Sequence, residues 1–401
     1  MGTKKMLGPE VAEVIATCPA GPVLDVFAGM CSVASTIAKD RQVWCNDIQS
    51  FAALTAAAFF TSRWEIPDKE SVSRLVVPLY ERNHKTLVRR LKVDLKREHH
   101  AFDSREVGAI RQSELSIAQV QTSDALEAER KKLSRQPDTF PYRLFSITYA
   151  GAYFGLSQCV EIDSIRFALD NLLHSGQFSI EQHRWLLLAL CQAISKIATT
   201  TGHFAQPMTI KPSTTDRYLA QRRRSVYEEW LEAQEDCVPI GTTAWRRGNR
   251  VFQNDAVSLL EALWVANLHP AAIYADPPYT ADQYSRYYHI YETLLKYDYP
   301  ESSSNGRYRG GRFVSDFSCS SRVGQALDHL ASGCSRLGSS LVLSYPVNGL
   351  FERSTQRVPT ILGKHFRRVE IAMRKRHRHS SMGAANGKQA HGVTEIIYLA
   401  E

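Results

Sequence analysis

The chain has 401 residues, 44% of them hydrophobic and 22% charged. That composition fits a globular protein with room for two domains, or for one large domain carrying an insertion. Forty-nine Lys and Arg against 41 Asp and Glu give a net charge of +8, which admits a polyanionic partner without requiring one. No apolar run spans a bilayer, Met1-Gly2-Thr3-Lys4-Lys5 lacks a signal-peptide core, and the eight cysteines include no Cys-x-x-Cys pair. The expectation is therefore a cytoplasmic protein without membrane spans, disulfide framework or metal site.

The first elements read helix, strand, glycine turn, helix, strand. Pro9 to Ala16 is amphipathic, with Val11, Val14 and Ile15 on one face. Gly21-Pro22 breaks the chain before the short apolar strand Val23 to Phe27. Ala28-Gly29-Met30 then turns the chain, and Cys31 to Ala38 is helix-compatible. Gln42 to Cys45 is a second strand that ends in Asn46-Asp47. This βαβ opening predicts a parallel sheet with right-handed crossovers. Residues 61 to 247 are mainly helical in periodicity. They include the basic stretch Arg82 to His100, the polar stretch Glu114 to Arg135, the apolar helices Ile162 to Leu173 and Ile180 to Ile197, and the run Arg222-Arg223-Arg224.

The α/β pattern then resumes with strand Arg250 to Gln253, helix Ala256 to Trp264 and strand Ala271 to Ala275. Gln283 to Lys296 reads as a helix, Ser302 to Asp316 as a mobile loop, Val323 to Leu337 as a helix and Ser340 to Ser344 as a strand. Arg367 to Met373 and Val393 to Leu399 read as closing strands, joined by a flexible basic loop over Arg374 to Gly392. The division expected is 1–60, a helical insertion over 61–247, and 248–401.

Four strand ends carry acidic residues. Asp25 precedes a glycine turn through Phe27, Ala28, Gly29 and Cys31, where a ligand can approach the backbone, although an ordinary βα turn would look the same. Asp47 ends the next strand at the spacing of a ribose-binding carboxylate, or caps the following helix. Asp255 and Ala256 repeat the geometry one strand further on, again with a helix N-cap as the alternative. Asp276-Pro277-Pro278-Tyr279 follows the strand Ala271 to Ala275. Two consecutive prolines force a stiff turn without backbone donors, so a carboxylate and an aromatic ring are held at the carboxyl end of that strand.

Asp25 to Cys31 resembles the Asp-x-Phe-x-Gly-x-Gly loop of S-adenosylmethionine (SAM) methyltransferases, with Cys31 in place of the second glycine. Asp276 to Tyr279 resembles the catalytic tetrapeptide of amino-methyltransferases. In this order the motifs resemble the DNA adenine N6-methyltransferase family, whose recognition segment lies between the SAM half and the catalytic half. The opening through Lys4 resembles that family's Gly-Ser-Lys start, and Leu341 to Tyr345 with Gly349-Leu350 resembles the strand and turn after the catalytic helix.

The resemblance implies a Rossmann-like sheet with helices on both faces and a helical target-recognition insertion. It implies SAM contacts at Lys4, Asp25, Phe27, Ala28, Gly29, Cys31, Asp47, Asp255, Ala256 and Asp276, and catalysis by Asp276, Pro277, Pro278 and Tyr279. Tyr279, Tyr284, His289 and Arg222 to Arg224 are candidates to contact double-stranded DNA, and Arg89, Arg90 and Arg374 to Arg378 to contact phosphates. A restriction-modification or phage-defence setting is implied, with a cognate endonuclease or defence subunit as partner. Rival acceptors are cytosine N4, RNA adenine and a protein amide; an inactive DNA-binding relative is the rival outside enzymes.

Overall fold

The computed structural model describes residues 7–38, 40–63, 68–380 and 390–401. They divide into two compact units. The first comprises residues 1–63, 239–285 and 313–401, and the second 64–238 and 286–312. Residues 286–312 thus pack with the long central segment, although in the sequence they follow directly on the Pro-Pro turn.

The strands in chain order are β1 (Val23–Asp25), β2 (Val43–Asn46), β3 (Arg250–Phe252), β4 (Ala272–Ala275), β5 (Ser302–Ser303), β6 (Tyr308–Arg309), β7 (Ser340–Pro346), β8 (Val369–Ser380) and β9 (Ala390–Ala400). Seven of them form the sheet of the first unit, in the order β3-β2-β1-β4-β7-β9-β8. β3, β2, β1, β4 and β7 run parallel, whereas β9 is antiparallel to both β7 and β8.

Successive residues of a strand face opposite sides, so each strand feeds two cores. Leu24, Ile273 and Leu341 pack under helices Ala256–Val265, Val323–Arg336 and Ser354–Leu362. Val23, Tyr274 and Val342 pack on the other face with helices Gly8–Ala16, Ser32–Ile37 and Ser50–Phe60. Each fully buried aliphatic side chain contributes about 2 kcal/mol of transfer free energy. The result is a mixed α/β, Rossmann-like architecture with both faces covered.

Several elements differ from the sequence expectation. Ser50–Phe60 is buried almost all round and so shows little amphipathic period. Ser354–Leu362 is a helix interrupted by Pro359. The helix expected over Gln283 to Lys296 is regular only from His289, after a short 3-10 turn at Tyr284–Arg286. Ser302 to Asp316 contains the β5–β6 hairpin. Of the basic loop expected over Arg374 to Gly392, Arg374 to Ser380 is instead the end of β8 and Ala390 to Gly392 the start of β9, paired as far as Ser380–Ala390, while 381–389 lie outside the described residues. That stretch is polar on both faces, so its pairing leaves no alternating apolar signal.

The second unit is built on helices Lys69–Arg90, Leu156–His174 and Ile180–Ile197. Its buried hub is Asp163. The carboxylate accepts from the backbone N–H groups of Phe145 (2.8 Å) and Ser146 (2.9 Å), the Ser146 hydroxyl (2.6 Å) and the Tyr297 hydroxyl (2.6 Å). Tyr297 belongs to 286–312, so this hub ties that late segment to the helices.

Candidate active site

β1 and β4 are neighbours in the sheet, with Asp25 in register with Tyr274. The chain leaves β1 toward β2 on one side, while β4 and β7 extend the sheet on the other. The order of strands therefore reverses between β1 and β4, and ligands of open α/β sheets bind at the carboxyl ends beside such a reversal. Asp25 ends β1 there, and Asp276 follows the last residue of β4.

Backbone hydrogen bonds hold the glycine turn against these strands. Val26 N–H donates to the Tyr274 carbonyl (3.0 Å) and Ala28 N–H to the Asn46 carbonyl (2.8 Å). Gly29 N–H donates to Asp47 Oδ2 at 3.0 Å, while Asp47 Oδ1 accepts from Gln49 N–H at 2.9 Å. Asp47 thus fixes the turn and the following helix start together. Gly29 has φ +48°, and a Cβ there would meet only the Phe27 carbonyl oxygen, at 3.9 Å, so the turn is open on that side.

Cys31 also adopts a left-handed conformation (φ 59°, ψ 24°) and is fully buried. That conformation suits glycine, and with a side chain it costs about 1–2 kcal/mol. Phe27 packs edge-on to Phe317 at 5.1 Å between ring centroids. Asp255 caps helix Ala256–Val265, its Oδ1 accepting from Val257 and Ser258 N–H. Lys4 lies outside the described residues.

Asp25 is 3% exposed, and among the described residues its Oδ1 has no hydrogen-bond partner. Burial, the charge of Asp276 and the charge of Asp47 push its carboxyl up to about 8, against backbone hydrogen bonds from Phe27 and Ala34. Around neutrality it is largely protonated. Beyond Asp276, Pro277 is buried and Pro278 and Tyr279 are half-buried, the Tyr279 ring lying against the core under β4. Leu350 N–H donates to the Tyr279 carbonyl at 2.7 Å, which fastens the Pro-Pro turn to the Gly349-Leu350 turn after β7.

Two site residues escaped the sequence reading. The buried Asn46 amide donates to the Val26 and Asn254 carbonyls and accepts from Asn254 N–H, so one side chain stitches three strand ends together. Glu395 on β9 is 1% exposed and accepts from the Ser344 hydroxyl at 2.7 Å. With Asp276, its charge pushes the pKa of the Tyr279 hydroxyl up and so keeps it protonated, behind the larger effect of burial. Asn46 was legible as a polar residue in an apolar strand; Glu395 gave no signal without its strand partners.

Three DNA-contact expectations meet a different outcome. Arg222 is 1% exposed; its guanidinium donates to the Ala152 carbonyl and the Tyr218 hydroxyl and pairs with Glu114 at 3.5 Å, so it cannot reach a phosphate. Arg223 and Arg224 are exposed but paired with Asp103 and Glu229. His289 is wholly buried in the second unit, its Nε2 3.0 Å from the Phe204 carbonyl and its ring among Tyr149, Tyr153 and Tyr308. Burial pushes its pKa down to about 3, leaving a neutral ring that donates through Nε2 and serves packing rather than substrate contact. Tyr284 is half-buried in the same unit as Asp276.

Fold and site define the class of a Rossmann-like enzyme with acidic strand ends around a Pro-Pro turn. The family model for D12 class N6 adenine-specific DNA methyltransferases matches residues 250–310, which contain β3, Asp255, β4 and Asp276 to Tyr279. The modification methylase LlaI of Lactococcus lactis subsp. lactis is 24% identical over 46% of this chain and 27% of its own length. The type II methyltransferase M.FokI of Planomicrobium okeanokoites is 26% identical over 53% of the chain and 29% of its own. The type II methyltransferase M.NlaIII of Neisseria lactamica is 25% identical over 36% and 37%. The matched regions thus span about a third of these relatives' lengths. Over these regions the chain is similar to DNA adenine N6-methyltransferases and to type II modification methylases. No solved structure matches. Among the described residues no helix is long and apolar enough to cross a membrane.

Proposed function

We propose that this chain binds SAM at the carboxyl ends of β1, β2 and β4 and methylates N6 of an adenine swung out of duplex DNA. The observation that carries this reading is Asp276 on its rigid turn, beside Asp25 at the reversal of strand order. The residues present fit the cofactor. Asp25 Oδ1 is buried without a hydrogen-bond partner among the described residues, and the turn at Gly29 is open to a close backbone approach. The acidic Asp25, Asp47 and Asp276 suit a ligand with cationic centres and hydroxyls, which would draw Asp25 into its ionised form. When bound, SAM supplies a methyl group on an electrophilic sulfonium.

The protein's own part is acceptor geometry. The adenine N6 lone pair is delocalised into the ring. A carboxylate at Asp276 and a carbonyl at Pro277, each accepting one N6–H, favour the pyramidal nitrogen whose lone pair is free to attack. The Pro-Pro turn and the Leu350–Tyr279 hydrogen bond hold those acceptors still, so their orientation needs no reorganisation during reaction. The N–CH3 bond forms as the S–CH3 bond breaks, leaving a neutral thioether, and the surplus N6 proton passes by way of the Asp276 carboxylate to solvent, without a covalent enzyme intermediate. The half-buried Tyr279 ring offers a stacking face to the extruded base. Asp47, at the carboxyl end of β2, binds the ribose hydroxyls, and Asp255 combines its cap with a contact to the adenine amino group of the cofactor. A restriction-modification role, with an endonuclease partner, rests on the names of the relatives.

Single-molecule sequencing of DNA from cells expressing this chain or its Asp276→Ala variant tests the proposal. N6-methyladenine in one short motif, absent with the variant, is expected. N4-methylcytosine instead would move the acceptor to cytosine, and no modified base in either culture would remove DNA methylation as the activity.

A further inference from the structure

The second unit carries a row of cations that its own acids do not neutralise. Helices Lys69–Arg90 and Lys92–Ser104 meet at Leu91. The α-helical ladder runs on through the junction, from Leu91 N–H to the Leu87 carbonyl (2.8 Å) and from Leu95 N–H to the Leu91 carbonyl (2.9 Å). One face is buried through Asn83, Leu87, Leu95, Glu98 and Phe102. On the opposite face Arg89, Lys92, Lys96, His99 and His100 recur at spacings of three and four, all exposed.

A solvated helix face is ordinarily charged, so the charge balance decides what this one is. Elsewhere in the unit several cations are matched, Arg223 with Asp103, Arg224 with Glu229, and Arg130 and Lys131 with Glu127, whereas the exposed Lys132, Arg135, Arg184 and Arg217 form no ion pair among the described residues. Among the described residues, Arg89, Lys92 and Lys96 form no ion pair. The acids on their own helices are engaged elsewhere. Asp94 pairs with Arg97 at 2.6 Å, and Glu98 turns inward to accept from Leu156 and Ser157 N–H, capping helix Leu156–His174. The apolar side of both helices faces the core, so the row offers charge without an insertable apolar face, as a phosphate contact needs and a membrane-binding helix does not.

We infer that this row, Arg89, Lys92 and Lys96 continued by His99 and His100, is the phosphate-binding surface of the second unit and lies along the backbone of duplex DNA. From Arg89 to His100 it extends about 16 Å at 1.5 Å per residue, enough for roughly three contacts. The inference rests on the DNA reading above and replaces Arg222 to Arg224 as the source of sequence-independent affinity.

The test measures duplex-DNA dissociation constants between 50 and 200 mM salt for the wild type, for Arg89→Gln/Lys92→Gln/Lys96→Gln, and for the control Lys131→Gln/Lys132→Gln. Each lost contact removes about 0.9 from the slope of log K against log salt, so the triple variant should lose roughly 2–3 and the control almost nothing. All five positions are exposed, so circular dichroism should be unchanged. A triple variant with the wild-type slope, while the wild type still methylates DNA, overturns the row and leaves the activity standing. A wild type that neither binds duplex DNA nor methylates it overturns the functional reading and the row with it.

Discussion

Asp25→Asn gives the sharpest test of how the site is built. The carboxyl has an ordinary value of 3.8 in the unfolded chain and about 8 in the folded one. A raised folded pKa means that its favourable contribution is complete below pH 4 and is lost as pH rises toward 8. The whole rise corresponds to about 6 kcal/mol at 1.36 kcal/mol per pKa unit. Between pH 5 and pH 7 the wild type should therefore lose about 3 kcal/mol relative to Asp25→Asn, whose amide does not titrate. Urea unfolding of both proteins at half-unit intervals from pH 5 to 9 reads this directly. The two stability curves should diverge up to about pH 8 and run parallel above it. Curves parallel throughout would refute the argument, because Asp25 would then be solvated or paired. A cationic ligand beside Asp25 favours its ionised form, so SAM affinity of the wild type should also rise between pH 6 and 8, and that of Asp25→Asn should not.

Cys31→Val places a β-branched side chain at φ 59° and should unfold at lower urea than Cys31→Gly by about 2 kcal/mol; equal midpoints would mean that the turn relaxes out of the left-handed conformation. Arg222→Met strands the partly buried Glu114 and should cost about 3 kcal/mol of stability while leaving the salt slope of DNA binding unchanged. A normal melting temperature with a flattened slope would return Arg222 to the DNA surface.

What the sequence legibly carried was local. Short apolar runs ending in Asp25, Asp47 and Asp276 declare strands with acidic carboxyl ends, since strand, turn and proline signals act within a few residues. The helical nature of the long central segment was readable for the same reason. The spatial facts were not. That Asp25 and Asp276 end neighbouring strands depends on β1 pairing with β4, across about 250 residues of chain, and the charge of Asp276 then adds to burial in raising the Asp25 pKa. Glu395 joins the site because β9 folds back antiparallel beside β7, and Asn46 gains its role from partners on β1 and beyond β3.

Charge misled where burial reversed its meaning. Arg222 and His289 carry polar side chains suited to DNA, yet both are enclosed by partners distant in sequence. Conversely, the basic stretch ending at His100 holds unpaired cations among the described residues, its nearby acids being engaged elsewhere: Asp94 pairs with Arg97 and Glu98 turns inward toward the start of a helix at Leu156. Local sequence thus determined the elements and the chemistry at their ends. The tertiary structure decided which ends meet, which charges are solvated and which are neutralised, because desolvation and ion pairing depend on neighbours that only the packed chain supplies.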